Sequence, residues 1–202
     1  MTAVDVDRLR LPIEYRSLAG ELTVRHPDRV IEVLAVPYEL EAVVEHHGRM
    51  VRETIGRHAF AGAVAKPRKR AVNRDHDMTR IVGVVTALRD RPHGLEADLR
   101  ISRTPAGDET LDLADDGILD ASIGFAPLPG HEHWTADRRS RRITNAYLDH
   151  IAMTPVPAYE TAKVLAVRAA GVELEQAPTP NLDRIRLAQL ASRYGYALTD
   201  QS

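Results

Sequence analysis

Apolar and polar positions along this chain fall mostly into short strand-like runs divided by turn residues. Val30-Ile31-Glu32-Val33-Leu34-Ala35-Val36 is apolar and β-branched and stops at Pro37, which predicts a buried strand. After a polar loop holding His46, His47 and Gly48, Met50 to Ile55 predicts a second short strand. Gly56 to Ala65 predicts a short helix, with Phe60 and Val64 at i and i+4. Arg80 to Arg89 and Leu95 to Ile101 predict a hairpin, joined by the turn residues Asp90-Arg91-Pro92-His93-Gly94.

Thr104-Pro105 opens a helix, with a capping hydroxyl followed by Pro at the first helical position. Leu111, Ala114 and Ile118 share one face of that helix, and Gly117 is its expected stop. Ala121 to Phe125 and Arg142 to Met153 predict further strands, with a polar loop from Pro127 to Arg141 between them. After Pro157 the pattern turns helical through about Val167. Ala170 to Pro180 reads as a linker, and Asn181 to Leu198 as an amphipathic helix with Leu182, Ile185, Leu190 and Tyr194 on one stripe. The layout is a polar, irregular arm over 1–28, a β-rich domain over 29–169, and a linker with a C-terminal amphipathic helix over 170–202.

Composition narrows the chemistry. The 202 residues suffice for one domain with a real core. Aromatics make up only 4%, so that core leans on Val, Ile, Leu and Ala. A net charge of −2 points to neither nucleic acid nor membrane as partner. The absence of cysteine excludes disulfides, Cys-ligated zinc and thiol nucleophiles, and fits a reducing cytosol. Met1 to Leu11 carries Asp and Arg charges before any apolar run, so no signal peptide is expected there. No apolar stretch approaches the roughly 20 residues of a membrane span.

Without cysteine, a covalent nucleophile of the hydroxyl type must be Ser or Thr. Serine catalysis needs an accessible hydroxyl on well-held backbone, a neutral imidazole to take its proton, and a third group to orient that imidazole. Three segments supply such residues. Asp120-Ala121-Ser122-Ile123-Gly124-Phe125 sets a hydroxyl among apolar residues, with a glycine that lets another group approach closely. Its bland reading is a strand with a solvent-facing Ser. Val72-Asn73-Arg74-Asp75-His76-Asp77 places a His in what otherwise reads as a turn. Tyr147 to Ala158 holds Asp149 and His150. By strict alternation, His150 points with Leu148 and Ala152, opposite Asp149 and Ile151, and its bland reading is a hydrogen-bonded structural His.

The order and wording of these segments resemble the prohead proteases of tailed phages, a family related to the herpesvirus maturational protease, assemblin. The resemblance runs from about Val30 to Val167. It rests on Ala35 and Tyr38 of the first strand, on Glu53-Thr54-Ile55-Gly56-Arg57-His58-Ala59-Phe60, and on Asn73 to Asp77 followed by Ile81-Val82-Gly83. Gly94-Leu95, Gly117 to Phe125 with its Ser-x-Gly-Phe core, and Leu148 to Ala158 complete it. Four departures stand out. Val33-Leu34 replaces a usual Gly-Tyr, two extra residues separate Asn73 from His76, His150 stands where many phage members carry Glu, and Ala152 stands in place of the Ser that follows it.

The resemblance implies a β-rich α+β fold of assemblin type, a compact β-barrel flanked by helices. It implies a serine endopeptidase with Ser122 as nucleophile, His76 as base and His150 as third member, Asp149 being the alternative for that last place. A neutral His in that place stabilises an imidazolium less than a carboxylate does, so a slow enzyme is expected. The oxyanion-hole backbone would lie near Ala158 and Tyr159. The implied substrates are the scaffold segment and the N-terminal region of the major capsid protein, and self-cleavage is expected. The implied place of action is the immature capsid in the host cytoplasm, with no cofactor, metal, nucleic acid or membrane involved. A homodimer is left open. The rival reading is a non-catalytic capsid-associated scaffold or decayed protease.

Other clusters receive bland readings. His131-Glu132-His133 has a zinc-ligand spacing but no third ligand nearby. Lys66 to Arg70 and Arg138 to Arg142 are basic runs without the aromatics that single-strand binding wants, so they read as solvated loops.

Overall fold

The computed structural model describes residues 11–17, 22–66 and 68–155. The helix expected after Pro157, the linker, the C-terminal helix and the Ala158–Tyr159 neighbourhood lie outside the described residues. The strands are β1 Glu14–Ser17, β2 Leu22–Arg25, β3 Val30–Pro37, β4 Glu41–His46, β5 Arg49–Ile55, β6 Ala71–Arg74, β7 Asp77–Arg91, β8 Gly94–Ile101, β9 Leu119–Pro127, β10 Glu132–Trp134, β11 Ser140–Ile143 and β12 Ala146–Pro155. Two helices join them, α1 Ala61–Ala65 and α2 Pro105–Asp115.

Eight strands form one sheet in the order β1-β9-β12-β6-β7-β8-β3-β2, and four form a second in the order β10-β11-β5-β4. The large sheet curls so that β3 packs against β9. This half-barrel encloses a core of Ile31, Val33, Leu95, Leu99, Ile101, Ile123, Phe125, Leu148, Ile151 and Met153. The fold is thus the expected β-rich, barrel-like one, with α1 packed on β7 and β12, and α2 on β2, β7, β8 and β9.

Helix α2 follows its sequence signals closely. Thr104 Oγ1 accepts from Gly107 N at 3.1 Å, Pro105 opens the first turn, and Gly117 takes a φ of +70° past the end. Leu111 and Ala114 are buried, but Ile118 falls beyond the helix and is 53% exposed, so it does not extend the apolar face.

Elsewhere pairing overrides pattern. The arm contains β1 and β2, both hydrogen-bonded into the large sheet. The loop around His46 is a hairpin of β4 and β5, turning at His47 and Gly48 with positive φ at both. The run from Arg142 to Met153 is two strands in different sheets: β11 pairs parallel to β5, and β12 pairs with β9 and β6. The polar stretch before it includes β10.

The basic runs are also more ordered than their composition implies. Arg70 is buried and donates to Leu148 O at 3.0 Å, while Arg68 lies over the Tyr147 ring. Arg141 is buried at the junction of β1 with the small sheet, paired with Glu14, Glu53 and Glu132. Arg16 joins the same network, its guanidinium donating to both Glu53 carboxylate oxygens at 2.7 and 3.0 Å. Buried charges persist only when paired and hydrogen-bonded, and each member of this set is.

Candidate active site

Ser122 sits in the middle of β9, between β1 and β12. Cα pairing aligns Ser17, Ser122, Ala152 and Asn73 in one row across four strands. Two rows on, at the next positions on the same face, stand Tyr15, Gly124 and His150. Paired residues share a face of the sheet, so Tyr15 and His150 flank the glycine two residues from the nucleophile candidate.

The strand β12 carries a β-bulge. Leu148 pairs with Phe125 and His150 with Gly124, so Asp149 is the extra residue. A bulge reverses the parity of every residue after it in the strand. Leu148, Ile151 and Met153 all belong to the core, whereas His150 and Ala152 do not. His150 therefore faces away from Leu148, contrary to strict alternation, and lies on the same side as its neighbour Asp149.

His76 reaches the site from a two-residue turn. Arg74 pairs with Asp77, and the residues between, Asp75 and His76, have φ of 58° and 59°. Two positive φ values define the tight hairpin turn whose twist matches its strands, which is usually built from Asn and Gly. A histidine there is uncommon and costs backbone strain of the sort found at functional sites. Asp75 N donates to Met153 O at 3.2 Å and its carboxylate pairs with Arg80 at 2.7 Å, which hold the turn over β12.

The three elements bring Ser122, His76 and His150 into one hydrogen-bonded series. His76 Nε2 lies 2.7 Å from Ser122 Oγ, and His76 Nδ1 lies 2.8 Å from His150 Nε2. The series continues: His150 Nδ1 is 2.8 Å from Asp149 Oδ2. Tyr15 stacks on His76 with ring centroids 4.1 Å apart and an interplanar angle of 23°. Ser122 is 0% and His150 2% exposed. Burial, together with the neighbouring His150, pushes the His76 pKa down to about 4, against a smaller upward pull from Asp75. At neutral pH the imidazole is therefore neutral, as a proton acceptor must be.

The sequence reading missed Tyr15, because a lone Tyr in a polar stretch carries no sign of its partner strand. The remaining candidates play other parts. His131 Nδ1 and His133 Nε2 both approach Thr144 Oγ1, at 3.4 and 3.3 Å, and Glu132 accepts from Arg141. Among the described residues no three potential ligands gather around one point, and none of their helices is long and apolar enough to cross a membrane.

A solved structure of the bacteriophage T4 capsid assembly protease, gp21, is similar at 14% identity and a TM-score of 0.47, covering 73% of this chain and 98% of that one. No curated protein matches the sequence. The model of the caudovirus prohead serine protease family matches residues 25–176, well over half of the chain, and the chain belongs to that family.

Proposed function

We propose that this protein is a prohead maturation endopeptidase in which Ser122 is the nucleophile, His76 the general base and His150 the group that orients it. The observation that carries this reading is the unbroken hydrogen-bond series from Ser122 Oγ through both ring nitrogens of His76 to His150 Nε2. A base needs this two-sided arrangement, with one nitrogen on the nucleophile and the other on an orienting group.

In this mechanism His76 Nε2 takes the hydroxyl proton as Ser122 Oγ attacks the scissile carbonyl. The imidazolium then returns that proton to the leaving amine, and water, activated by the same imidazole, resolves the acyl-enzyme. Tyr15 stacks on His76, and Ser122 has no exposed surface, so acylation requires the groups around the hydroxyl to move aside. The substrates are the scaffold segment and the N-terminal region of the major capsid protein, met inside the immature capsid, with self-cleavage in addition. No cofactor takes part.

The test is co-expression with the capsid precursor, comparing wild type with Ser122→Ala by mass spectrometry. Specific trimming lost in the variant supports the reading and gives the cleavage site. Equal trimming by both, or none by either when proheads assemble, favours the non-catalytic scaffold or decayed protease.

A further inference from the structure

We infer that Asp149 is a positioning residue that works through His150, setting the direction of the whole proton chain and supplying its counter-charge. This rests on the serine-protease reading above and adds a fourth member behind its three residues.

Three observations carry the inference. The first is the bulge in β12, which turns Asp149 and His150 to the same face opposite Gly124. In a regular strand adjacent residues point to opposite faces, and the carboxylate could not follow the imidazole. The second is the carboxylate's own placement. Oδ2 lies 2.8 Å from His150 Nδ1, and Oδ1 accepts from the Tyr147 hydroxyl at 3.3 Å, so both oxygens have partners. The third is the logic of donors and acceptors along the series. A carboxylate only accepts, so His150 carries its proton on Nδ1 and presents the Nε2 lone pair. His76 must then donate from Nδ1 to that lone pair, which leaves its Nε2 free to accept from Ser122. Reverse the first bond and every later one reverses, ending with an N–H aimed at the hydroxyl it should deprotonate.

The charge balance takes the same path. When the Ser122 proton reaches His76 Nε2, the resulting imidazolium still donates from Nδ1 to His150 Nε2, and His150 donates from Nδ1 to Asp149. The proton stays on His76 for return to the leaving amine, and the Asp149 carboxylate supplies the counter-charge through the intervening His150 ring. This changes the expectation of a slow enzyme drawn from a His in third place, because the carboxylate is present one residue further along the series. The carboxylate is one-third exposed, so its charge is partly screened by water and its directional role weighs more than its Coulomb term.

The experiment uses the full chain and reads histidine tautomers by long-range nitrogen–proton NMR at neutral pH. The expected wild-type result is Nδ1–H on both His76 and His150. Asp149→Asn, nearly the same in shape but able to donate, is expected to populate Nε2–H on both rings and to slow capsid-precursor cleavage at least about tenfold, with the melting temperature unchanged. Asp149→Glu is expected to restore the wild-type tautomers and part of the activity. Unaltered tautomers in Asp149→Asn and Asp149→Ala, or wild-type cleavage by both, would overturn the inference. The tautomers are read without substrate, so failure of the serine reading shows separately, as cleavage that survives Ser122→Ala.

Discussion

The imidazole of His150 occupies the space that a side chain at position 124 would fill. A Cβ on Gly124 would stand 2.6 Å from His150 Nδ1 and 2.7 Å from Nε2, inside van der Waals contact with both. The glycine of the Ser-x-Gly element is there for its missing side chain, since its φ is not among the positive ones. Gly124→Ala is therefore expected to push His150 off His76 and to lower kcat/KM by about 100-fold, the cost of misplacing a reacting group by an ångström or so. The same overpacking is expected to cost about 1–3 kcal/mol of stability. Cleavage kinetics and urea unfolding on the same preparation check both, and a fully active Gly124→Ala would mean the ring can sit elsewhere.

The pH profile depends on the buried state of His76. Its folded pKa is held down to about 4 against an ordinary 6.5. Cleavage is thus expected to persist well below pH 6, with its acid limb near 4. Stability changes with the opposite occupancy. Between pH 6.5 and about 4 the unfolded chain binds a proton at this histidine and the folded chain does not. The contribution of His76 is complete above that window and is lost as pH falls through it. A limb near 6.5 would indicate that the imidazole is hydrated.

Tyr15 and Asp75 are expected to move that limb in opposite directions. Tyr15→Ala removes the ring stacked on His76, admits water and raises the pKa toward its ordinary value. Asp75→Asn removes a negative charge that pulls the pKa up, and the limb moves further down. Asn tolerates the positive φ of that turn position, so the hairpin is preserved. Titrating the His76 ring signal in the two variants checks the pair of signs.

Arg141 holds three carboxylates at the junction of β1 with the small sheet. Arg141→Ala leaves Glu14 and Glu53 to Arg16, with His46 beside Glu14, and takes the guanidinium from Glu132, and the expected loss is about 3–5 kcal/mol in urea unfolding. Arg141→Lys is expected to recover only part of it, because one ammonium cannot match a planar fork that serves several oxygens. A loss under about 1 kcal/mol would show that water replaces the guanidinium at little cost.

What the sequence made legible, and what it did not, divides along local and non-local lines. Helix α2, the β7–β8 hairpin and β3 were readable because caps, turns and β-branched runs act over a few residues. The Ser122 and His76 elements were readable as wording, and the structure brings their side chains together. The arm strands β1 and β2 were not readable: four polar-leaning residues become a strand only when β9 or β3 lies alongside. The choice between Asp149 and His150 had a missed clue in the sequence itself. Ala146 and Leu148 mark one parity, Ile151 and Met153 the other, and a strand whose apolar residues change parity must carry an extra residue between them. The bulge makes the two candidates consecutive links in one series.

The first strand has a practical bearing on how this protein is cut for study. The family match begins at residue 25, yet β1 lies upstream of it, at Glu14–Ser17. A recombinant fragment trimmed to the family boundary would discard the Tyr15 ring over the imidazole and the Arg16 anchor in the charge network. It would also leave the outer edge of β9 as an unpaired row of amides and carbonyls beside Ser122, and bare strand edges recruit other chains. Aggregation or inertness of such a fragment would reflect the missing strand and says nothing about the chemistry of the intact enzyme.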